Sequence, residues 1–114
     1  MHPSIKSVLL FGVVAGMAVV VSPSAGEAQS PADAQIATIK QYCVGCHSDK
    51  LKAGGASFEG MTVASLAKTP DIYELAVKKL RGRVMPPPGA RQPDAKTVES
   101  LVAWLETSLD KIPT

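Results

Sequence analysis

The stretch Cys43-Val44-Gly45-Cys46-His47 decides how this chain folds. Two thiols are separated by only two residues, and a histidine follows the second thiol directly. Gly45 keeps the turn between the cysteines small. The chain of 114 residues contains 2 cysteines and 2 histidines, so this short segment holds both thiols and one of the two imidazoles.

The pattern C-x-x-C-H is typical of covalent attachment of haem c. In that arrangement the thiols of Cys43 and Cys46 form thioethers with two vinyl groups on one edge of the porphyrin. The next residue, His47, is thereby carried beneath the ring to bind iron. We therefore predict one haem c, bound covalently through Cys43 and Cys46, with His47 as a metal ligand.

Three other interpretations of the cysteine pair are weaker. A redox-active C-x-x-C disulfide is typical of a thioredoxin-like βαβ unit, and the sequence shows no strand pattern. A zinc site needs at least three protein ligands, and this chain offers only Cys43, Cys46 and His47 without a second C-x-x-C. A structural disulfide between the two cysteines closes a very small loop and contributes little stability.

The composition excludes several classes of protein. Lys+Arg 12 against Asp+Glu 10 is too balanced for a nucleic-acid binder, and 46% hydrophobic residues argue against disorder. Aromatic residues are only 4%, which is little for the core of a small domain. A haem supplies the missing apolar bulk, so we expect that the chain without haem does not fold stably.

The N-terminal segment has the pattern of a secretory signal peptide. Lys6 precedes an apolar run over residues 8–21, Pro23 ends it, and residues 26–28 offer small side chains to a signal peptidase. The run is shorter than the roughly 17–25 residues that span a bilayer. We therefore predict Sec-type export to the periplasm and no stable membrane insertion after cleavage.

These features divide the chain into three parts. Residues 1–28 are predicted to be a cleaved signal peptide, residues 29–34 a flexible lead-in, and residues 35–112 the haem-binding domain. We place the cleavage site after Ala28, within about three residues either way.

Apolar residues recur at helical spacing in the rest of the chain, and no alternating pattern indicates a strand. The prediction is an all-α fold with three main helices and long loops. Helices are predicted over residues 33–43, 62–68 (short), 70–81 and 94–110, with loops over residues 48–60 and 83–89.

Several local signals refine this prediction. Asp33 is expected near the N-cap of the first helix, and Gly82 at the C′ position after the helix over 70–81. Ile72, Ala76 and Leu80 are expected to form the apolar stripe of the helix over 70–81. The loop over 83–89, rich in proline, is expected to be stiff and extended.

The second axial ligand of the iron follows partly by elimination. After signal cleavage no second histidine and no third cysteine remain, which leaves Met85, Met61, a lysine or an open position. We favour Met85 because Pro86 restricts it to extended geometry and removes a backbone donor that a buried loop would have to satisfy. A filled sixth position favours outer-sphere electron transfer over catalysis.

On these residues the chain resembles the small class I cytochrome c family. The resemblance rests on CVGCH at 43–47, the helix before it, Met85 before proline and a C-terminal helix with Trp104, and it covers residues 35–110. It implies a cytochrome c-like fold around one covalent haem, with His47 and Met85 as axial ligands and crossed terminal helices. Many members orient the histidine with a proline carbonyl from the following loop, yet residues 48–60 contain no proline.

A narrower resemblance is to a bacterial subgroup whose haem domains are often joined to larger exported proteins. It rests on three segments: YCVGCHSDKLKAGG at 42–55, KLRGRVMPPPGARQPD at 79–94 and WLE at 104–106.

The functional prediction is a monohaem c-type cytochrome that carries single electrons between redox proteins and has no catalytic residues of its own. It would act as a monomer or within a redox complex, without nucleic-acid partners. One alternative is a haem-c subunit that feeds electrons into a larger exported oxidoreductase. Another is a haem-ligand sensor or peroxidase-like protein with an open sixth position.

Two further features are open at this stage. Trp104 packs either on the haem edge or on Ile36 and Ile39. Arg81 and Arg83 pair with haem propionates, join a docking patch, or lie in solvent at a helix end, where basic residues complement the helix dipole.

Overall fold

The computed structural model describes residues 29–113, together with residues 12, 16, 18–21 and 26. This part of the chain is helical and contains no strand, which confirms the all-α prediction. The helices are α1 (Pro31–Tyr42), α2 (Val63–Leu66), α3 (Pro70–Arg81) and α4 (Ala95–Leu109). Among the described residues, no helix is both long and apolar enough to cross a membrane. Most of the predicted signal peptide lies outside these residues.

Helix α1 begins two residues earlier than predicted. Ser30 is the N-cap: its Oγ accepts a hydrogen bond from the backbone N–H of Asp33 at 3.1 Å and donates to Asp33 Oδ2 at 2.6 Å. Pro31 takes the first helical position, where its missing N–H costs nothing. Asp33 therefore lies near the N-cap, as predicted, at the third helical position, and residues 31–34 of the predicted lead-in form the first helical turn.

Helix α4 is the element against which the others pack, because it contacts α3, α1 and α2. Apolar residues recur at helical spacing along it, as the sequence predicts, and Val98, Leu101, Val102 and Leu105 are buried. Among the described residues no polar or charged side chain is buried. The full core consists of Ile39, Met61, Leu66, Tyr73, Val77, Leu80, Val98, Leu101, Val102 and Leu105.

Helix α3 has two apolar faces rather than one. Tyr73, Val77 and Leu80 are the residues that it buries. Ile72 and Ala76, predicted to share the core stripe with Leu80, are only half-buried and line a cleft on the neighbouring face. Apolar residues on both faces indicate that α3 packs against the protein core on one side and lines a binding site on the other.

The end of α3 differs from the prediction in one residue. Gly82 has a right-handed φ of −74°, whereas Arg83 has a φ of 56° and takes the left-handed C′ position. The N–H of Arg83 donates to the carbonyl of Leu80 and that of Val84 to the carbonyl of Lys79, both at 3.1 Å. These two bonds define a Schellman motif, which usually has glycine at C′.

The loop after α3 bends rather than running extended. Gly89 has a φ of 90°, and the N–H of Ala90 donates to the carbonyl of Pro87 at 3.1 Å. Proline at the second position and glycine with positive φ at the third are typical of a type II turn. The expectation of an extended loop was therefore wrong, because Gly89 permits a reversal that the prolines alone do not.

The N-terminus of α4 is capped by Asp94, whose Oδ1 accepts a hydrogen bond from the backbone N–H of Thr97 at 2.6 Å. This bond lowers the pKa of Asp94 below its ordinary value, because it favours the ionised carboxylate.

We expect Arg83→Gly to stabilise the protein by about 1 kcal/mol, because a left-handed conformation costs an L-residue about 1–2 kcal/mol. In a domain of this size that corresponds to a rise of about 4–8 °C in the melting temperature. The control is Arg83→Ala, which removes the same side chain but keeps the strained backbone and should not stabilise. Equal melting temperatures for the two variants would contradict this explanation.

We expect Asp94→Asn to reduce the loss of stability in acid while preserving the cap. Because the pKa of Asp94 is lower in the folded than in the unfolded protein, its contribution is complete above the ordinary carboxyl pKa and is lost as the pH falls through the folded value. Asparagine caps helices about as well but does not titrate. Chemical unfolding at pH 7 and near pH 3 measures this, and an identical acid sensitivity of both proteins would sink the prediction.

Candidate functional site

The segment Cys43–His47 continues the path of α1 for one more turn. The N–H of Cys43 donates to the carbonyl of Ile39 at 2.8 Å, and that of His47 donates to the carbonyl of Cys43 at 3.0 Å. The N–H of Cys46 also approaches the Cys43 carbonyl, at 3.3 Å. The two cysteines and the histidine are therefore presented by one tight turn fixed to the end of a helix.

The loop that follows folds back onto this turn. The N–H of Ala53 donates to the carbonyl of Cys46 at 3.2 Å, and that of Phe58 donates to the carbonyl of His47 at 2.8 Å. The ring centroids of His47 and Phe58 are 5.2 Å apart, and those of Phe58 and Tyr73 are 5.6 Å apart. This row of rings connects the turn to α3 and restricts the orientation of the imidazole.

A cleft of about 440 Å³ opens between this turn, α3 and the loop after α3. Its volume is within the range of roughly 300–1,000 Å³ that is usual for sites of small molecules and cofactors. All four side chains predicted for the haem site, those of Cys43, Cys46, His47 and Met85, line it. The other lining residues are Ile39, Tyr42, Ala53, Gly54, Gly55, Ala56, Phe58, Ile72, Tyr73, Leu75, Ala76, Lys79, Leu80, Pro86, Pro87, Ala90, Leu101 and Leu105.

The other candidate residues lie elsewhere. Met61 is 7% exposed, belongs to the core and does not line the cleft. Trp104 packs against the core cluster that contains Ile39 and is not a lining residue of the cleft. Of the two environments considered for Trp104, the structure shows the protein core.

Arg81 is engaged with α4 rather than with the cleft. Its Nη2 lies 2.7 Å from both carboxylate oxygens of Glu106, and its Nε donates to Oε1 at 2.9 Å. The two side chains are 61% and 40% exposed, so the pair is worth about 0.2–1 kcal/mol. Neither Arg81 nor Arg83 lines the cleft.

Lys79 is the charged residue that sequence reasoning missed. Apart from His47 it is the only ionisable basic residue among those that line the cleft in the described part of the chain. It follows Ile72, Leu75 and Ala76 at helical spacing on the cleft face of α3. This spacing could have predicted that Lys79 faces the cleft. It was overlooked because a lysine near a helix C-terminus is already explained by its interaction with the helix dipole.

The imidazole of His47 has one buried nitrogen without a hydrogen-bond partner, Nδ1. This agrees with the absence of a proline from the following loop, because no carbonyl there approaches the ring nitrogen. With Nδ1 buried and His47 lining the cleft, a metal can bind only at the other nitrogen, Nε2.

The chemistry of the thiols argues against the redox-disulfide interpretation. Both cysteines are free, and burial raises the pKa of Cys43 to about 11, because a low-dielectric environment disfavours the thiolate. Reactive cysteines in C-x-x-C oxidoreductases have lowered pKa values.

In the part of the chain that the structure describes, no three His, Cys, Asp or Glu side chains are grouped to hold a metal ion alone. An apolar cleft with two thiols and a histidine at one wall fits a haem.

Comparison with known proteins agrees with this geometry. The family model described as cytochrome C oxidase, cbb3-type, subunit III matches residues 30–105. No curated protein and no solved structure matches the chain. The family match covers more than half of the chain, including the turn, the cleft and most of α4, and it confirms the resemblance to cytochrome c. The chain therefore belongs to the family of c-type cytochrome domains represented by subunit III of cbb3-type oxidase, and it is a haem-c electron-transfer protein.

Proposed function

We propose that the protein is an exported, periplasmic monohaem cytochrome that carries single electrons between redox proteins, with His47 and Met85 as the axial ligands of the iron. The observation that carries this proposal is that both side chains line the cleft that Cys43 and Cys46 also line. Met61, the competing methionine, is part of the core instead. When bound, the haem supplies an iron that gains or loses one electron.

The protein's own residues prepare this site in two ways. Leu101 and Leu105 belong to the core and also line the cleft, so the packing that stabilises α4 also keeps water from the site. The orphaned Nδ1 of His47 means that no acceptor increases the electron donation of the imidazole. Together with a soft thioether from Met85, this favours the reduced iron and a high reduction potential.

The residues around the cleft support electron transfer over peroxide chemistry. The lining residues of the described part include no carboxylate and no histidine other than His47, so no acid–base pair is available next to an open iron position. A peroxidase-like or ligand-sensing function is therefore the weaker alternative.

A second candidate function is that of an electron-entry subunit in a larger exported oxidoreductase. The specific observation in its favour is the family match itself, because that model is named for a subunit of an oxidase. The site chemistry is the same in both cases, and only the partner differs.

We propose that the N-terminal segment is a signal peptide that directs the protein to the periplasm. Its apolar run and the small residues at 26–28 support a Sec-type signal over residues 1–28. A short lead-in, proposed over residues 29–34, then leads to the cytochrome domain at 35–112.

We expect Met85→Ala to remove the sulfur-to-iron absorption band of the ferric protein and to lower the reduction potential, because axial ligands span roughly 0.8 V among haem proteins. The ferrous variant should also bind carbon monoxide. Visible spectroscopy and a potentiometric titration of the haem-loaded protein measure these effects.

The matched control is Met61→Leu, which replaces a core methionine of similar volume and should keep both the band and the potential. Lys79→Arg tests the lysine alternative in the same way, because arginine keeps the charge but does not ligate iron. A low-spin spectrum that survives Met85→Ala but is lost in either control variant would overturn the assignment of Met85.

We expect the tagged, exported protein to purify as a single red species without other subunits, and size-exclusion chromatography coupled to light scattering measures this. Stoichiometric recovery of further redox subunits would instead favour the second candidate function.

A further inference from the structure

The loop that carries Met85 is short of backbone donors. Pro86, Pro87 and Pro88 have no N–H group, so three successive positions cannot donate a hydrogen bond. The carbonyl oxygens of the same loop nevertheless need partners if the loop is to hold one conformation next to the cleft. The backbone N–H of Ala90 donates to the carbonyl of Pro87, and the other carbonyls of the loop need a donor from a side chain or from solvent.

Gln92 provides this donor. Its Nε2 lies 3.1 Å from the carbonyl oxygen of Pro86, 3.0 Å from that of Pro87 and 3.2 Å from that of Ala90. An amide NH₂ group has two hydrogens, so the three oxygens share two donors. Since all three partners are acceptors, only the nitrogen end of the amide fits here, and its orientation is determined.

The neighbouring residue, Arg91, attaches the same loop to the end of α1. Its guanidinium carbon lies 5.5 Å from the ring centroid of Tyr42. The side-chain oxygen of Gln41, with its amide turned toward Arg91, accepts from Nη1 at 3.1 Å and from Nη2 at 3.0 Å. Tyr42 directly precedes Cys43 and lines the cleft. Arg91 therefore connects the loop that carries Met85 to the end of α1, where the turn over residues 43–47 begins.

We propose that Gln92 is a positioning residue for the Met85 thioether: its amide fixes the carbonyls of Pro86, Pro87 and Ala90 and so holds Met85 against the iron. This inference rests on the proposed function, in which Met85 is an axial ligand. Gln92 itself is exposed and does not line the cleft. Its effect on the iron therefore passes through the loop, and its loss leaves the core intact.

The test compares Gln92→Glu and Gln92→Leu with the wild-type protein, all loaded with haem. Glutamate has nearly the same shape but no N–H donor, and leucine removes both the donor and the polarity. The readout is displacement of Met85 by imidazole, followed by loss of the sulfur-to-iron band in the ferric protein. We expect imidazole to bind about tenfold more tightly to both variants, which corresponds to about 1.4 kcal/mol and is within the range of lost hydrogen bonds.

The matched control is Ala103→Glu, which adds the same charge on an exposed position of α4 outside the cleft and should keep the wild-type imidazole affinity. Wild-type affinity in both Gln92 variants, with the band present in all proteins, would overturn the positioning role while leaving Met85 as ligand. Absence of the band from the wild-type protein would instead overturn the proposed function. Since Gln92 is exposed, both variants are expected to fold, and far-ultraviolet circular dichroism verifies this.

Discussion

Covalent attachment of haem at a single turn is the constraint on which the rest of this structure depends. Because Cys43, Cys46 and His47 belong to one turn at the end of α1, that turn would hold the haem through two thiols and one imidazole. The remaining elements must then form a wall on the other side. Helix α4 makes this possible by packing against α1, α2 and α3 at once, so that Leu101 and Leu105 serve both core and cleft.

The features that the sequence predicted are those set by local rules. The attachment turn follows from five consecutive residues, and the α4 stripe follows from helical periodicity in a helix that buries one face. The start of α1 was misplaced because Ser30 and Asp33 are both good N-cap residues, and only the reciprocal bonds between them show which one caps. The α3 stripe was misplaced because periodicity does not show which of two apolar faces meets protein and which meets a cofactor.

The features that sequence reasoning missed depend on contacts between distant residues. Arg81 pairs with Glu106, so it is engaged at the α3–α4 surface while Lys79 lines the cleft. Arg83 has a left-handed backbone conformation, which the preference of glycine for that conformation had predicted at Gly82 instead. Gln92 bonds to carbonyl groups of a proline-rich loop, and side-chain bonds to backbone leave no periodic trace in a sequence. Of these residues, Lys79 lines the same cleft as Met85, and Gln92 bonds to the loop that carries Met85.

The central claim is that this polypeptide carries one haem through two thioether bonds, and the mass of the denatured exported protein tests it most directly. Thioethers survive denaturation, whereas a haem held only by its iron ligands separates from the unfolded chain. The account predicts the mass of the chain without residues 1–28 plus one haem, and the mass of the polypeptide alone when both Cys43 and Cys46 are replaced by serine. A denatured wild-type protein with the mass of the polypeptide alone would contradict it.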